Sequence, residues 1–105
     1  MIKSTMEKYE VLLYPKSYRD LDDIYSYIAI DKMELNIAKK QTDRIWDAIL
    51  SLEDFPSSHQ DRLYGRYADK GYKQLIIDNF LVIYKIDENK KQVLVVTIQY
   101  AGRDL

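Results

Sequence analysis

Residues 71–100 read GYKQLIIDNFLVIYKIDENKKQVLVVTIQY, and this stretch decides the fold. Three β-favouring runs, 72–77, 80–86 and 92–100, are each rich in Val, Ile, Leu and Tyr. Asp78-Asn79 separates the first two with a two-residue turn composition that suits positive φ, and 87–91, DENKK, separates the last two. The spacing predicts an antiparallel meander. Alternation places Phe80, Val82, Tyr84 and Ile86 on one face and Leu81 and Ile83 on the other. In the last strand, Leu94, Val96 and Ile98 oppose Val93 and Val95. Both faces are apolar.

Upstream, 8–14 alternates as a further strand, and Pro15 stops it. Ser17 with Asp20 reads as an N-cap and a carboxylate in the first turn. Leu21, Ile24, Tyr25 and Ile28 recur at helical spacing, which predicts a helix over 18–30. Asp31 and Glu34 repeat the capping pattern. Ala38, Thr42, Ile45, Ala48, Ile49 and Leu52 then mark one face of a second helix, ended by Phe55-Pro56. The order is β-α-α-β-β-β. This is an α+β fold, a helical hairpin packed on one face of a mainly antiparallel twisted sheet. Two helices cover one face only. The other face, assigned Val93 and Val95, is expected to be closed by the long loop and tail or offered to a partner.

The totals bound the function. One hundred and five residues make one domain with one modest core, and 1–6 read as a flexible extension of it. Cysteine is absent, so disulfides and thiolate chemistry are excluded. No apolar run has the length of a membrane span and no leader is legible, which predicts a cytoplasmic protein. Sixteen basic residues against 17 acidic ones give a net charge of −1, without the basic excess usual for nucleic-acid binders. The three glycines, at 65, 71 and 102, cannot form a phosphate loop. His59 is the single histidine and lies in a polar loop, so no His-cluster metal site is expected, and no cofactor.

The remaining chemistry lies in 56–71, PSSHQDRLYGRYADKG, and at the chain's end. Arg62, Arg66 and Lys70 alternate with Tyr64 and Tyr67 in a loop of the length that is usually functional inside a compact domain. Lys73, Tyr100 and Arg103 extend the set. Cations with tyrosines can hold phosphates and stack bases, or act as solubilising loop charges. The loop enters the first strand of the meander and Tyr100 leaves the last, so the whole set is expected to meet at one sheet edge.

Taken together, SYRDLDDIYSYIA (17–29), the meander and the closing YAGRD (100–104) resemble the RelE/ParE superfamily of bacterial type II toxin–antitoxin toxins, over Glu7 to Asp104. The resemblance implies a small growth-arresting toxin neutralised by a cognate antitoxin. It implies either ParE-like binding of DNA gyrase or RelE-like, ribosome-dependent cleavage of mRNA, the latter by a metal-independent endoribonuclease. The alternative is a non-toxic member that serves only as an antitoxin-binding protein. Of the ribonuclease set, Lys73 matches the lysine of the first meander strand and Arg103 the closing arginine, with Tyr100 as a substitute tyrosine. Leu81 follows Phe80 where those enzymes carry an arginine. The two-faced strands also predict self-association of the chain when alone.

Overall fold

A computed structural model describes residues 8–101. The stretch assigned to a flexible extension and Arg103 lie outside the described residues. Strand β1 (Glu10–Leu13) leads into helix α1 (Pro15–Ser26) and then α2 (Leu35–Leu50). A short β2 (Gln60–Asp61), β3 (Lys73–Ile77), β4 (Phe80–Asp87) and β5 (Gln92–Tyr100) follow. The sheet runs β1-β5-β4-β3-β2, antiparallel throughout except for β1, which pairs parallel to β5. The expected α+β architecture is therefore present. The addition is β2, a two-residue edge strand inside the segment expected to be a loop.

Helix α1 starts earlier than its spacing predicts. Pro15 occupies its first turn, where a missing N–H costs nothing. Ser17 is accordingly inside the helix, and is not its cap. Fully buried, it donates its hydroxyl to the Val95 carbonyl at 3.0 Å. Asp20 likewise turns to the sheet. One of its oxygens accepts the Thr97 hydroxyl at 2.6 Å and the Ile98 N–H at 2.9 Å. Strand β1 stops at the level of Val95, so this carboxylate satisfies an edge N–H that no strand reaches.

A single widened turn (Tyr27–Asp31) joins the helices, with Lys32 N–H bonded to the Tyr27 carbonyl five residues back. Met33, at φ 56°, reverses the chain. The hairpin then covers one face of the sheet. Leu21, Ile45, Ile49 and Leu52 pack there on Phe80, Val82, Tyr84, Val93, Val95 and Ile98.

That list corrects the expectation for Val93 and Val95. Both are 0% exposed, beneath the helices, and neither offers its side chain to a partner. The cause is a β-bulge. Ile83 pairs with Thr97 and Tyr84 with Val95, so Val96 has no partner across the ladder. One extra residue reverses the alternation. Val93 and Val95 before the bulge and Ile98 after it consequently share one face. The far face is not bare either. Ile83 is fully buried, Leu81 and Val96 nearly so, and Leu12 and Ile76 are exposed. Arg62, from the segment leading to β3, hydrogen-bonds Gln74, the cross-strand neighbour of Ile83.

Candidate functional site

The meander has two ends, and it divides the predicted site between them. A three-stranded antiparallel unit enters at one end and leaves at the other. Lys73 pairs with Tyr84, which in turn pairs with Val95, whereas Tyr100 pairs with Phe80, opposite Ile77. At about 3.3 Å per residue and 4.8 Å per strand, Lys73 and Tyr100 lie about 13 Å apart along the strands and two strands across. The expected convergence of the loop cations, Lys73 and Tyr100 at one edge does not occur.

At the entry end, Lys73 is engaged. Its ammonium donates to the Asp61 carboxylate at 2.9 Å and to the His59 carbonyl at 3.0 Å, with 19% of the side chain exposed. His59 stands edge-on to Tyr84, and the Tyr84 hydroxyl donates to the Pro56 carbonyl at 2.6 Å. Burial pushes the Tyr84 phenol well above its ordinary range, with the Asp61 charge acting in the same direction. The group therefore stays protonated and works as a fixed donor. Arg62 is half-buried. It donates to the Gln74 amide oxygen at 2.8 Å, and its buried Nε has no hydrogen-bond partner among the described residues. Further out, Arg66 lies over the Tyr67 ring, Tyr67 meets Tyr72 edge-on at 4.9 Å, and Lys85 lies over Tyr72. Arg66 and Lys70 are exposed. The loop is thereby tied to the sheet through Lys85 of β4 over Tyr72, while Arg66 stacks within the loop itself.

The exit end is open. Ile24, Tyr27 and Ile28 from the helical side and Phe80 and Tyr100 from the sheet enclose a cleft of about 670 Å³. Asp23, Lys32, Gln41 and Asn79 complete its lining. Phe80 and Tyr100 are tilted against each other with centroids 5.6 Å apart, and Lys32 lies over the Tyr27 ring. Arg44 grips Asp78 through two nitrogens at 2.8 and 3.0 Å, and Gln41 adds a third bond at 2.9 Å. Those bonds hold the Asp78 carboxyl below its ordinary range, Arg44 first and Gln41 second. They also fix the turn beneath the cleft. The sequence reading missed this constellation. Phe80 and Tyr100 become neighbours only once the strand register is known, and Ile24 and Ile28 carry the same helical signal as residues packed in a core.

An apolar, aromatic-lined cleft of this size accepts side chains of a partner or a small ring. The described residues hold no cluster of His, Asp or Glu fit for a metal ion, and no described helix is long and apolar enough to cross a membrane.

A helical hairpin on a five-stranded sheet with a parallel first strand is the architecture of the small RelE/ParE toxins. The ParDE toxin–antitoxin system of P. aeruginosa contains a chain that superimposes with a TM-score of 0.73 at 17% identity, covering 91% of this chain and 99% of that one. A chain of the RelBE2 toxin–antitoxin complex of Mycobacterium tuberculosis gives 0.62 at 16%, covering 89% and 98%. One from the archaeal RelE–RelB complex of Pyrococcus horikoshii OT3 also gives 0.62 at 16%, covering 92% and 99%. No curated protein matches the chain in sequence. The sequence profile described as ParE toxin of the type II toxin–antitoxin system, parDE, matches residues 11–105, and the chain belongs to that family.

Proposed function

We propose that this toxin arrests growth in the cytoplasm by binding its target, DNA gyrase in the ParE manner, and not by cutting mRNA on the ribosome. The observation that carries this reading is the division of the ribonuclease set. Lys73 is held in an ion pair at one end of the meander, and Tyr100 stands at the other. Cleavage through a 2′-oxygen needs its acid, base and charge-stabilising groups around one phosphate. In addition, Leu81 is a nearly buried apolar residue at the position where the ribonucleases carry an arginine. The match of residues 11–105 to the ParE toxin family supports the same side. A cognate antitoxin is the proposed neutralising partner, because the three structural neighbours described above come from toxin–antitoxin systems.

Induction in growing cells tests the target. Filamentation, arrested DNA synthesis and loss of supercoiling by purified gyrase in the presence of the chain are expected. Immediate translation arrest with cut messages and normal gyrase activity would overturn the reading.

A further inference from the structure

The chain is nearly balanced in charge as a whole, at −1, and unbalanced from end to end. At the entry end, Arg62, Arg66, Lys70 and Lys85 form no ion pair among the described residues. At the exit end the sign reverses. Between Leu21 and Leu35 the chain carries Asp22, Asp23, Asp31 and Glu34 against Lys32 alone, four charges against one and a net −3. None of these five is in an ion pair among the described residues. By contrast, Asp20 is engaged by Lys16 and Asp43 by Lys39. The open carboxylates therefore belong to the segment that forms the helical wall of the cleft, and they set a negative field at its mouth. The rings of the cleft add a second, independent preference. Tyr27, Phe80 and Tyr100 line it together with Ile24, Ile28 and Asp23. The Lys32 ammonium stands 5.7 Å from the Tyr27 centroid, so a ring of this cleft already takes a cation.

We propose that the cleft receives a basic side chain, arginine before lysine, from a protein partner. Arginine suits all three features of the lining. Its apolar stem can lie on Ile24 and Ile28, its planar guanidinium can meet the rings, and Asp23 can accept its N–H groups. An apolar side chain would leave the Asp23 carboxylate without a partner, and an acidic one would enter against the net −3. A protein is the occupant, and not a free cation, because the apolar surface continues past the cleft. Ile30 and Met33, on the helix connection next to Lys32, are 69% and 85% exposed. The inference rests on the exit end being the surface by which the toxin binds. Its test needs no gyrase, so the two can fail separately.

The probe is N-acetyl-arginine amide, titrated to millimolar concentration against the isotope-labelled chain and followed by NMR chemical shifts. Shifts that saturate and centre on Ile24, Ile28, Phe80 and Tyr100 are expected. N-acetyl-citrulline amide has the same shape without the charge and should bind at least about fivefold more weakly. Added salt should weaken the arginine probe and leave the citrulline probe unchanged. Lys32→Met removes the chain's own like charge and should tighten the arginine probe about threefold, whereas Asp23→Asn should weaken it about fivefold. Both side chains are exposed, so both variants keep the fold. The blocked peptide Leu-Arg-Leu should bind at least about threefold tighter than the single amide, since its flanking residues add apolar contact. Absence of a saturable shift in the cleft, equal binding of citrulline, or weaker binding in Lys32→Met would each overturn the proposal. Equal affinity of peptide and amide would assign the cleft to a free cation, and preference for N-acetyl-glutamate amide would assign it to an acidic partner. Either result would also overturn it.

Discussion

The two ends of the β3-β4-β5 meander use the same residue types to opposite effect. At the entry end, Lys73 bonds Asp61 and the His59 carbonyl, His59 stands edge-on to Tyr84, and that tyrosine is fully buried with its hydroxyl on the Pro56 carbonyl. At the exit end, Tyr100 is 53% exposed on the rim of an open cleft. Cations and tyrosines do not in themselves mark a site. What matters is how far the protein encloses them. At the entry end the Lys73 side chain is 19% exposed and Tyr84 is fully buried, whereas at the exit end the Tyr100 ring lines a cleft.

The largest effect expected from this contrast is on stability. Tyr84→Ala removes a ring packed under the helices together with its bond to Pro56, and should cost about 3–5 kcal/mol. Tyr100→Ala removes a half-exposed ring together with its contact with Phe80 and should cost about 1 kcal/mol. Urea unfolding of the two variants measures both. Equal costs would erase the distinction between the ends. An effect on toxicity at equal protein level belongs to Tyr100→Ala only.

A sharper form of the contrast uses Lys73. If its ammonium serves Asp61 and His59 and nothing else, Lys73→Met should keep growth arrest within about twofold. Its stability cost should be about 1 kcal/mol or less, because Asp61 is exposed enough to rehydrate. A loss of toxicity of a hundredfold or more in a folded variant would instead mean that the lysine stabilises charge in a reaction. The binding mechanism would then be wrong.

How much of this was legible in the sequence differs between fold and site. The meander, the helical hairpin and their order were readable, since alternation in 72–77 and 80–86 and the 3.6-residue recurrence from Ala38 to Leu52 are strong periodic signals. Ser17 misled because its hydroxyl has a tertiary acceptor, the Val95 carbonyl, which local capping rules cannot anticipate. Val93 and Val95 misled because no Gly marks the bulge at Val96, and a one-residue slip exchanges faces. The separation of Lys73 from Tyr100 was different. It follows from the pairing of three antiparallel strands alone. The cleft was not legible, because Tyr27 and Phe80 are far apart in sequence and meet only through the packing of the hairpin on the sheet.

The smallest expected effect lies in the turn beneath the cleft, and it distinguishes charge from shape at the exit end. Asp78 sits at φ 56°, which Asn adopts as readily, so Asp78→Asn preserves the backbone and removes the charge. In the folded chain Arg44, and after it Gln41, holds the Asp78 carboxyl below its ordinary pKa. Below that value the carboxyl is protonated in both folded and unfolded chains and contributes nothing. Its contribution builds as the pH rises from the folded pKa and is complete above the unfolded value of about 4. The wild type should therefore exceed Asp78→Asn in urea midpoint at neutral pH. The gap should narrow as the pH falls below about 4, and it should also narrow with added salt, since these groups face solvent. A gap unchanged between neutral pH and pH about 3 would mean that geometry alone, and not the Arg44 pairing, holds this turn.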